Sequence, residues 1–243
     1  MSSIFKKEFN QFFNSLSGYI IILLFLFVNG IYLFVLKDSN LFDIGYANLD
    51  PFFNFAPWVF LFLIPAVTMR TISEEFKTGT FEILKTSPIT KWQIILGKYF
   101  AILLIVIIAL LPSLIYVYSI NDLSVTGTLD TGGLTGSFCG LIFLAAVFSA
   151  IGIACSGLTN NSIVAFLITA FSCLILYFGF SAISRLPGLQ GNFDYYLDMI
   201  GIDFHYRSIS RGVIDSRDTI YFICLIYFFL FLAVNNLKKV GRS

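Results

Sequence analysis

His205 is the sole histidine among 243 residues, so a metal site here would need cysteines or carboxylates set close to it. The four cysteines, Cys139, Cys155, Cys173 and Cys224, show neither C-x-x-C nor any metal-ligand spacing to that histidine, and they read as small packing residues. There is no H-E-x-x-H, no G-x-S-x-G and no serine paired with a histidine inside an apolar segment. Hydrolysis and intramembrane proteolysis therefore have no visible machinery. Gly97-Lys98 lacks both the upstream glycine and the following Ser or Thr of a P-loop, which removes that route to ATP. The expectation is a non-catalytic chain with no metal and no cofactor.

The remaining polar chemistry gathers in two segments. Residues 70–98, RTISEEFKTGTFEILKTSPITKWQIILGK, mix both signs of charge. Arg70, Glu74 and Lys77 (or Glu75) follow one another at i, i+4 and i+3 spacing, which places them on one helical face. Thr78-Gly79-Thr80 and Ser87-Pro88 break the segment into short helices, and Thr90-x-x-Gln93 is a capping box that restarts a helix. Phe76, Phe81, Ile83, Leu84 and Trp92 are too many large apolar groups for a plain linker. They either lie on the membrane or enter a partner's groove. In the second segment, 185–218, Tyr195, Tyr196, Leu197, Ile200, Ile202 and Phe204 alternate with Asp194, Asp198 and Asp203. These stretches are too short to cross a membrane and suggest helices at, or dipping into, its surface. His205-Tyr-Arg-Ser-Ile-Ser-Arg211-Gly212-Val-Ile-Asp215-Ser-Arg217-Asp218 then leads into the last apolar stretch.

The elements that hold these segments follow from composition. Hydrophobic residues make up 58% and charged residues 12%, against about 25% charged in soluble domains. That balance excludes disorder, nucleic-acid binding and a secreted disulfide scaffold. No charge falls between Glu8 and Lys37, Asp50 and Arg70, Lys98 and Asp122, Asp130 and Arg185, or Asp218 and Lys238. A spanning helix takes about 20 apolar residues. Four of these gaps hold one span each, and residues 131–184 hold two around Gly157-Leu-Thr-Asn-Asn-Ser162. The reading is an all-α polytopic membrane protein, a single domain over 1–243, with six spans near 19–36, 54–69, 98–119, 135–157, 162–184 and 219–237. None of their interiors carries an ionisable residue, which disfavours a proton or ion relay. The first span has no cleavage site after it and reads as retained.

Six spans put both termini on one side, with Lys6, Lys7, Arg70, Lys77, Lys85, Lys91, Lys98, Lys238, Lys239 and Arg242. Only Lys37, Arg185, Arg207, Arg211 and Arg217 fall opposite. The Lys/Arg excess marks the cytoplasmic face, so both termini are expected there. Residues 1–17 carry Ile4, Phe5, Phe9, Phe12, Phe13 and Leu16 on one face and Lys6, Lys7, Asn10, Gln11 and Asn14 on the other. They predict an amphipathic helix lying on the cytoplasmic leaflet, either a topology anchor or a mechanical part. The turn 157–162 offers Asn and Ser to cap helix ends. Gly136-x-x-x-Gly140 and the small residues after it suit close helix packing, within the subunit or across a dimer seam.

With these residues in view, the chain resembles the permeases of the ABC-2 class of ABC transporters. The resemblance rests on Arg70-Thr-Ile-Ser-Glu-Glu75, Gly79-Thr80-Phe-Glu82, Thr86-Ser-Pro88, Gly97-Lys98 and the 205–218 motif, and it covers nearly the whole chain. Within the class it looks most like the gliding-motility-associated permease subunits of Bacteroidetes. The resemblance implies a type V exporter-like permease fold in the bacterial inner membrane. It implies a half-transporter that pairs with a second permease subunit or itself, is surrounded by membrane lipid, and is driven by two copies of a separate ABC ATPase. It also implies that residues 70–97 carry the coupling helix, with Arg70, Glu74, Glu75, Phe76, Gly79, Thr80, Phe81 and Glu82 at the ATPase, and that His205, Arg211, Gly212, Asp215, Arg217 and Asp218 form an outer-loop motif. A non-transporting scaffold of a surface machine, and an exporter of a glycan, lipid or small molecule, are the alternatives.

Overall fold

The computed structural model describes residues 1–36, 49–82, 88–123, 130–186, 191, 194–213 and 215–240. Among them there is no strand, as expected where lipid offers no partner to a sheet edge. Helix α1 (Ser2–Phe13) is followed by α2 (Leu16–Phe34), 19 residues without a charge. The two axes meet at 67°, so the amphipathic segment does turn away from the apolar one. After α3 (Asp50–Thr68) comes the short α4 (Ser73–Thr78). Thr90 and Gln93 form the anticipated capping box at the start of α5 (Lys91–Leu110).

Pro112 sits in a 3-10 turn, Leu111–Ser113, from which α6 (Leu114–Leu123) continues. Then come α7 (Thr131–Ser156) and α8 (Ser162–Leu174), joined by a turn where Asn161 caps α8 through its Oδ1. A π turn, Ile175–Gly179, widens that helix before α9 (Phe180–Ser184). Two short helices, α10 (Asp194–Ile200) and α11 (Ile202–Ser210), precede α12 (Ser216–Val240).

Among the described residues, five helices are long and apolar enough to cross a bilayer: Asp50–Thr78, Lys91–Asp122, Thr131–Ser156, Ser162–Ser184 and Ser216–Leu237. The bent pair of α1 and Gly18–Phe34 makes a sixth if it counts as one span. The stretches begin up to seven residues earlier than the uncharged gaps indicate, because polar residues such as Lys91 and Ser216 still take helical geometry beyond the apolar core.

Helix α7 is the axis of the bundle and packs against α3, α5, α8, α11 and α12. Its small residues explain how. A Cβ on Gly152 would overlap Thr68 of α3, and one on Gly136 would come within 2.5 Å of the Ile209 carbonyl. Gly140 faces the Tyr206 ring. Of the two uses open to the small-residue stripe, Gly136, Gly140 and Gly152 serve packing inside the subunit. Close backbone approach is what small residues give a helix bundle in lipid, where burial itself gains little.

Met1 and the Leu237 turn of α12 lie at one end of the bundle. The Met1 carbonyl lies by Gly97, and Lys91 Nζ reaches the Leu237 carbonyl of α12 at 3.5 Å. Helices α10 and α11 lie at the other end, where Tyr206 donates to the Phe53 carbonyl at 2.7 Å.

Candidate functional site

The elbow between α3 and α5 is built around α4. A six-residue helix leaves nearly all its N–H groups without intrahelical partners. Here the cap comes from 83 residues away. Ser156, the last residue of α7, accepts from the Ile72 and Ser73 amides at 3.1 Å each and donates to the Met69 carbonyl. Ser73 Oγ also meets Ser162 Oγ of α8 at 3.1 Å. The elbow is therefore gripped by the turn between α7 and α8. Helix α4 ends at Gly79, whose φ of +72° lies in the left-handed region that favours glycine. The chain then doubles back so that Phe81 meets Phe76 edge-on at 5.0 Å.

Beneath the elbow lies a buried ionic cluster. Lys98, one-third of the way along α5, is only 1% exposed. Its ammonium donates to Glu8 Oε1 of α1 at 2.8 Å, to Glu75 Oε1 of α4 at 2.8 Å and to the Thr71 carbonyl at 2.7 Å. An ammonium has three hydrogens, and all three are used. Lys7 approaches the same Glu75 oxygen at 3.4 Å, so two carboxylates meet two ammonium groups and the cluster is neutral. Glu75 Oε2 is buried without a partner among the described residues. Burying such charges costs several kcal/mol per ion unless they are paired and fully hydrogen-bonded. The cluster thus locks three separate elements, α1, α4 and α5, to one nitrogen atom.

Of the residues expected at the ATPase, Glu75 and Phe81 are turned inward: Glu75 is drawn to Lys98, and Phe81, 6% exposed, joins the core. Phe76 packs against that core as well. The interior is also not free of ionisable groups, since Lys98 lies inside α5 rather than at its threshold. Arg70, Glu74, Lys77, Gly79, Thr80 and Glu82 face outward. Arg70, in the turn before α4, and Glu74, on α4, border the same cavity, but among the described residues neither side chain has an ion pair. Residues 83–87, with Ile83, Leu84, Thr86 and Ser87, lie outside the described residues.

At the opposite end, His205 and Asp218 come together. His205 Nδ1 is 2.6 Å from Asp218 Oδ1, and Nε2 is 2.9 Å from the Met199 carbonyl. A carbonyl only accepts, so Nε2 carries a hydrogen, and the other ring nitrogen is occupied by the carboxylate. Both nitrogens are committed, which makes His205 a fastener for α10, α11 and α12 rather than a ligand. Tyr221 completes the joint, stacking on the imidazole at 3.9 Å and donating to the Ile200 carbonyl at 2.6 Å.

Gly212, φ +86°, lies so close to Gly132 and Gly133 that a Cβ would clash with their backbone. Asp215 accepts from the Arg217 amide at 2.9 Å at the start of α12, and that bond holds its carboxyl below the usual range. Arg211 and Arg217 remain exposed. Burial raises the Asp203 carboxyl, against the pull of its ion pair with Arg207. Burial likewise raises the Tyr206 hydroxyl.

Neither Glu8 nor Ser156 figured among the expected site residues. The only signals were a single acid on the polar face of α1 and a hydroxyl at the end of a small-residue helix. A contact 90 residues away leaves no trace in local spacing.

Residues 1–200 match the family model described as ABC-2 family transporter protein. No curated protein matches the chain. The matched stretch takes in the elbow, the ionic cluster and all but the last span. The chain belongs to the ABC-2 transporter family and is a multi-pass membrane subunit of a kind that typically partners with an ABC ATPase.

Proposed function

We propose that this chain is the non-catalytic, six-span permease half of an ABC-2 exporter-type transporter in the bacterial inner membrane, with both termini in the cytoplasm. Helix α2 is the first span, and α1 lies along the cytoplasmic leaflet. Two copies of a separate ATPase dock on the elbow, and a second permease subunit, or a second copy of this chain, completes the transporter. Arg70, Glu74, Gly79, Thr80 and Glu82 form the docking face. Glu75, Phe76 and Phe81 transmit from behind it. The likeness of the 70–88 segment and of the overall layout to the gliding-motility-associated permeases supports a place in surface gliding.

The observation that carries the reading is Lys98 bonded at once to Glu8, Glu75 and the Thr71 carbonyl. Rigid-body closure of an ATPase moves whatever it grips. An elbow tied to α1 and α5 through a buried ion, and to α7 through Ser156, moves with the spans rather than swinging free. The basic residues at this end, Lys7, Arg70, Lys77, Lys91 and Lys98, agree with a cytoplasmic placement.

Affinity isolation from gently solubilised native membranes tests it. A P-loop ATPase should accompany the wild-type chain and be lost with Glu74→Lys/Glu82→Lys, two exposed changes that leave the Lys98 cluster intact. Recovery of surface-machine proteins without an ATPase would overturn the proposal in favour of a scaffold.

A further inference from the structure

A cleft of about 700 Å³ opens between α2, α3 and α8, lined by Leu24, Val28, Trp58, Phe62 and Phe166 with almost no polar surface. At the elbow end a second cavity, about 250 Å³ and half polar, is lined by Gln11, Arg70 and Glu74. Ile21 of α2 and Ala66 of α3 line both, so the two volumes adjoin. Together they fall within the usual range of ligand sites, and they are apolar at one end and charged at the other.

We infer that this composite site binds a glycerophospholipid with a primary-amine headgroup. One acyl chain lies in the cleft, the phosphate sits on Arg70 and the ammonium on Glu74. Three observations select that occupant. The cleft belongs to a membrane-spanning chain whose surroundings are acyl chains, so an apolar tail is the available filling. Arg70 is the first charge beyond α3, and its planar guanidinium fits phosphate oxygens two at a time. Arg70 and Glu74 have no ion pair among the described residues although they are one turn apart. A cation and an anion, each without a partner at the rim of one cavity, complement a zwitterion. Glu8, also at this cavity, is already engaged by Lys98. A lipid here would touch α1, α2, α3 and α8 and would rest against the elbow, so headgroup chemistry could bias its position. Because Arg70 and Glu74 also belong to the proposed docking face, the lipid is assigned to the chain without its ATPase, and the test uses that chain alone.

The test uses the full chain in vesicles of defined composition carrying a trace of lipid with a photoreactive acyl chain, and adducts are mapped by mass spectrometry. Phosphatidylethanolamine should label peptides containing Trp58, Phe62 and Phe166. Arg70→Ala should cut that labelling about tenfold, the scale of losing a charge-assisted pair, and Arg70→Lys, which keeps the charge but not the two-oxygen fit, should restore only part of it. Glu74→Gln should lower phosphatidylethanolamine labelling yet leave the weaker phosphatidylglycerol labelling unchanged. Ala66→Trp, which fills the junction, should abolish labelling in the cleft. Label spread evenly over all lipid-facing helices, or equal labelling by phosphatidylglycerol and phosphatidylethanolamine, would overturn the site. So would wild-type labelling in an Arg70→Ala protein that elutes as a single species.

Discussion

Replacing Lys98 with methionine keeps an unbranched chain only one atom shorter and removes its charge. In the wild type Lys98 is 1% exposed and its ammonium donates all three hydrogens, to acceptors at 2.7–2.8 Å. The variant leaves Glu75 with only the distant, half-exposed Lys7 and brings two carboxylates toward the space one cation had filled. Breaking a buried pair by removing one partner costs about 3–5 kcal/mol. For a chain of this size that corresponds to a fall in Tm of roughly 10 °C. Glu8, which borders the elbow cavity, can turn partly to water, so the lower end of that range is the expectation. Removing the opposing charges as well, in Lys98→Met/Glu8→Gln/Glu75→Gln, should recover most of the stability, because a neutral buried set is no worse than a paired one. Detergent melts of wild type, Lys98→Met, Glu8→Gln/Glu75→Gln and the triple variant, read as a mutant cycle, provide the assay. Lys98→Met melting within about 2 °C of wild type, or a triple variant no better than the single one, would refute the account of the cluster. The triple variant has a second use: if the cluster carries motion as well as stability, it will be stable but poor at coupling ATP turnover.

Other outcomes follow from the same contacts. Ser156→Ala should cost about 1–3 kcal/mol, since it strands the Ile72 and Ser73 amides, and should expose the elbow to trypsin at Arg70 and Lys77. An unchanged cleavage rate would deny the cap its role. Gly152→Ala should destabilise by roughly 1–3 kcal/mol through overlap with Thr68, and Thr68→Ala, which removes Oγ1 and Cγ2 but leaves Cβ 2.6 Å away, should restore only part of that in the double variant. Additive losses in that melt would show that the two helices do not meet there.

The Asp203 carboxyl is raised above its ordinary 3.8 by burial. The folded state therefore takes up this proton more readily than the unfolded one. Its contribution is unfavourable at neutral pH and improves as pH falls through the raised value toward 3.8. Wild type should gain stability relative to Asp203→Asn on acidification, and parallel pH curves for the two would contradict the assignment.

Much of this architecture could be read from where charges are missing. The uncharged gaps locate the helices, Thr90 and Gln93 announce the start of α5, and the 4-3-4 spacing of phenylalanines describes α1. These are local signals, set by pitch and capping within a few residues. What escaped is long-range. Lys98 opens an uncharged gap and so reads as a residue flanking a span, whereas the acids that draw it inside sit on α1 and α4. Glu75 and Glu74 are indistinguishable as letters, yet a 100° step around α4 buries one and exposes the other. The uncharged run on both sides of Pro112 argued for one continuous span, and Lys91–Asp122 is one, with the proline taken up in a 3-10 turn. The pairing of His205 with Asp218, 13 residues on, needed the chain reversal at Gly212 to become visible.

The account depends most on the elbow being the place where the ATPase engages. A photoreactive amino acid placed at Thr80, exposed at the tip just past Gly79, and in parallel at Tyr195, exposed at the far end, tests this in native membranes. The prediction is an adduct with a P-loop ATPase from position 80 and none from position 195. Adducts from position 195 alone, or an ATPase adduct of equal yield from both, would contradict it.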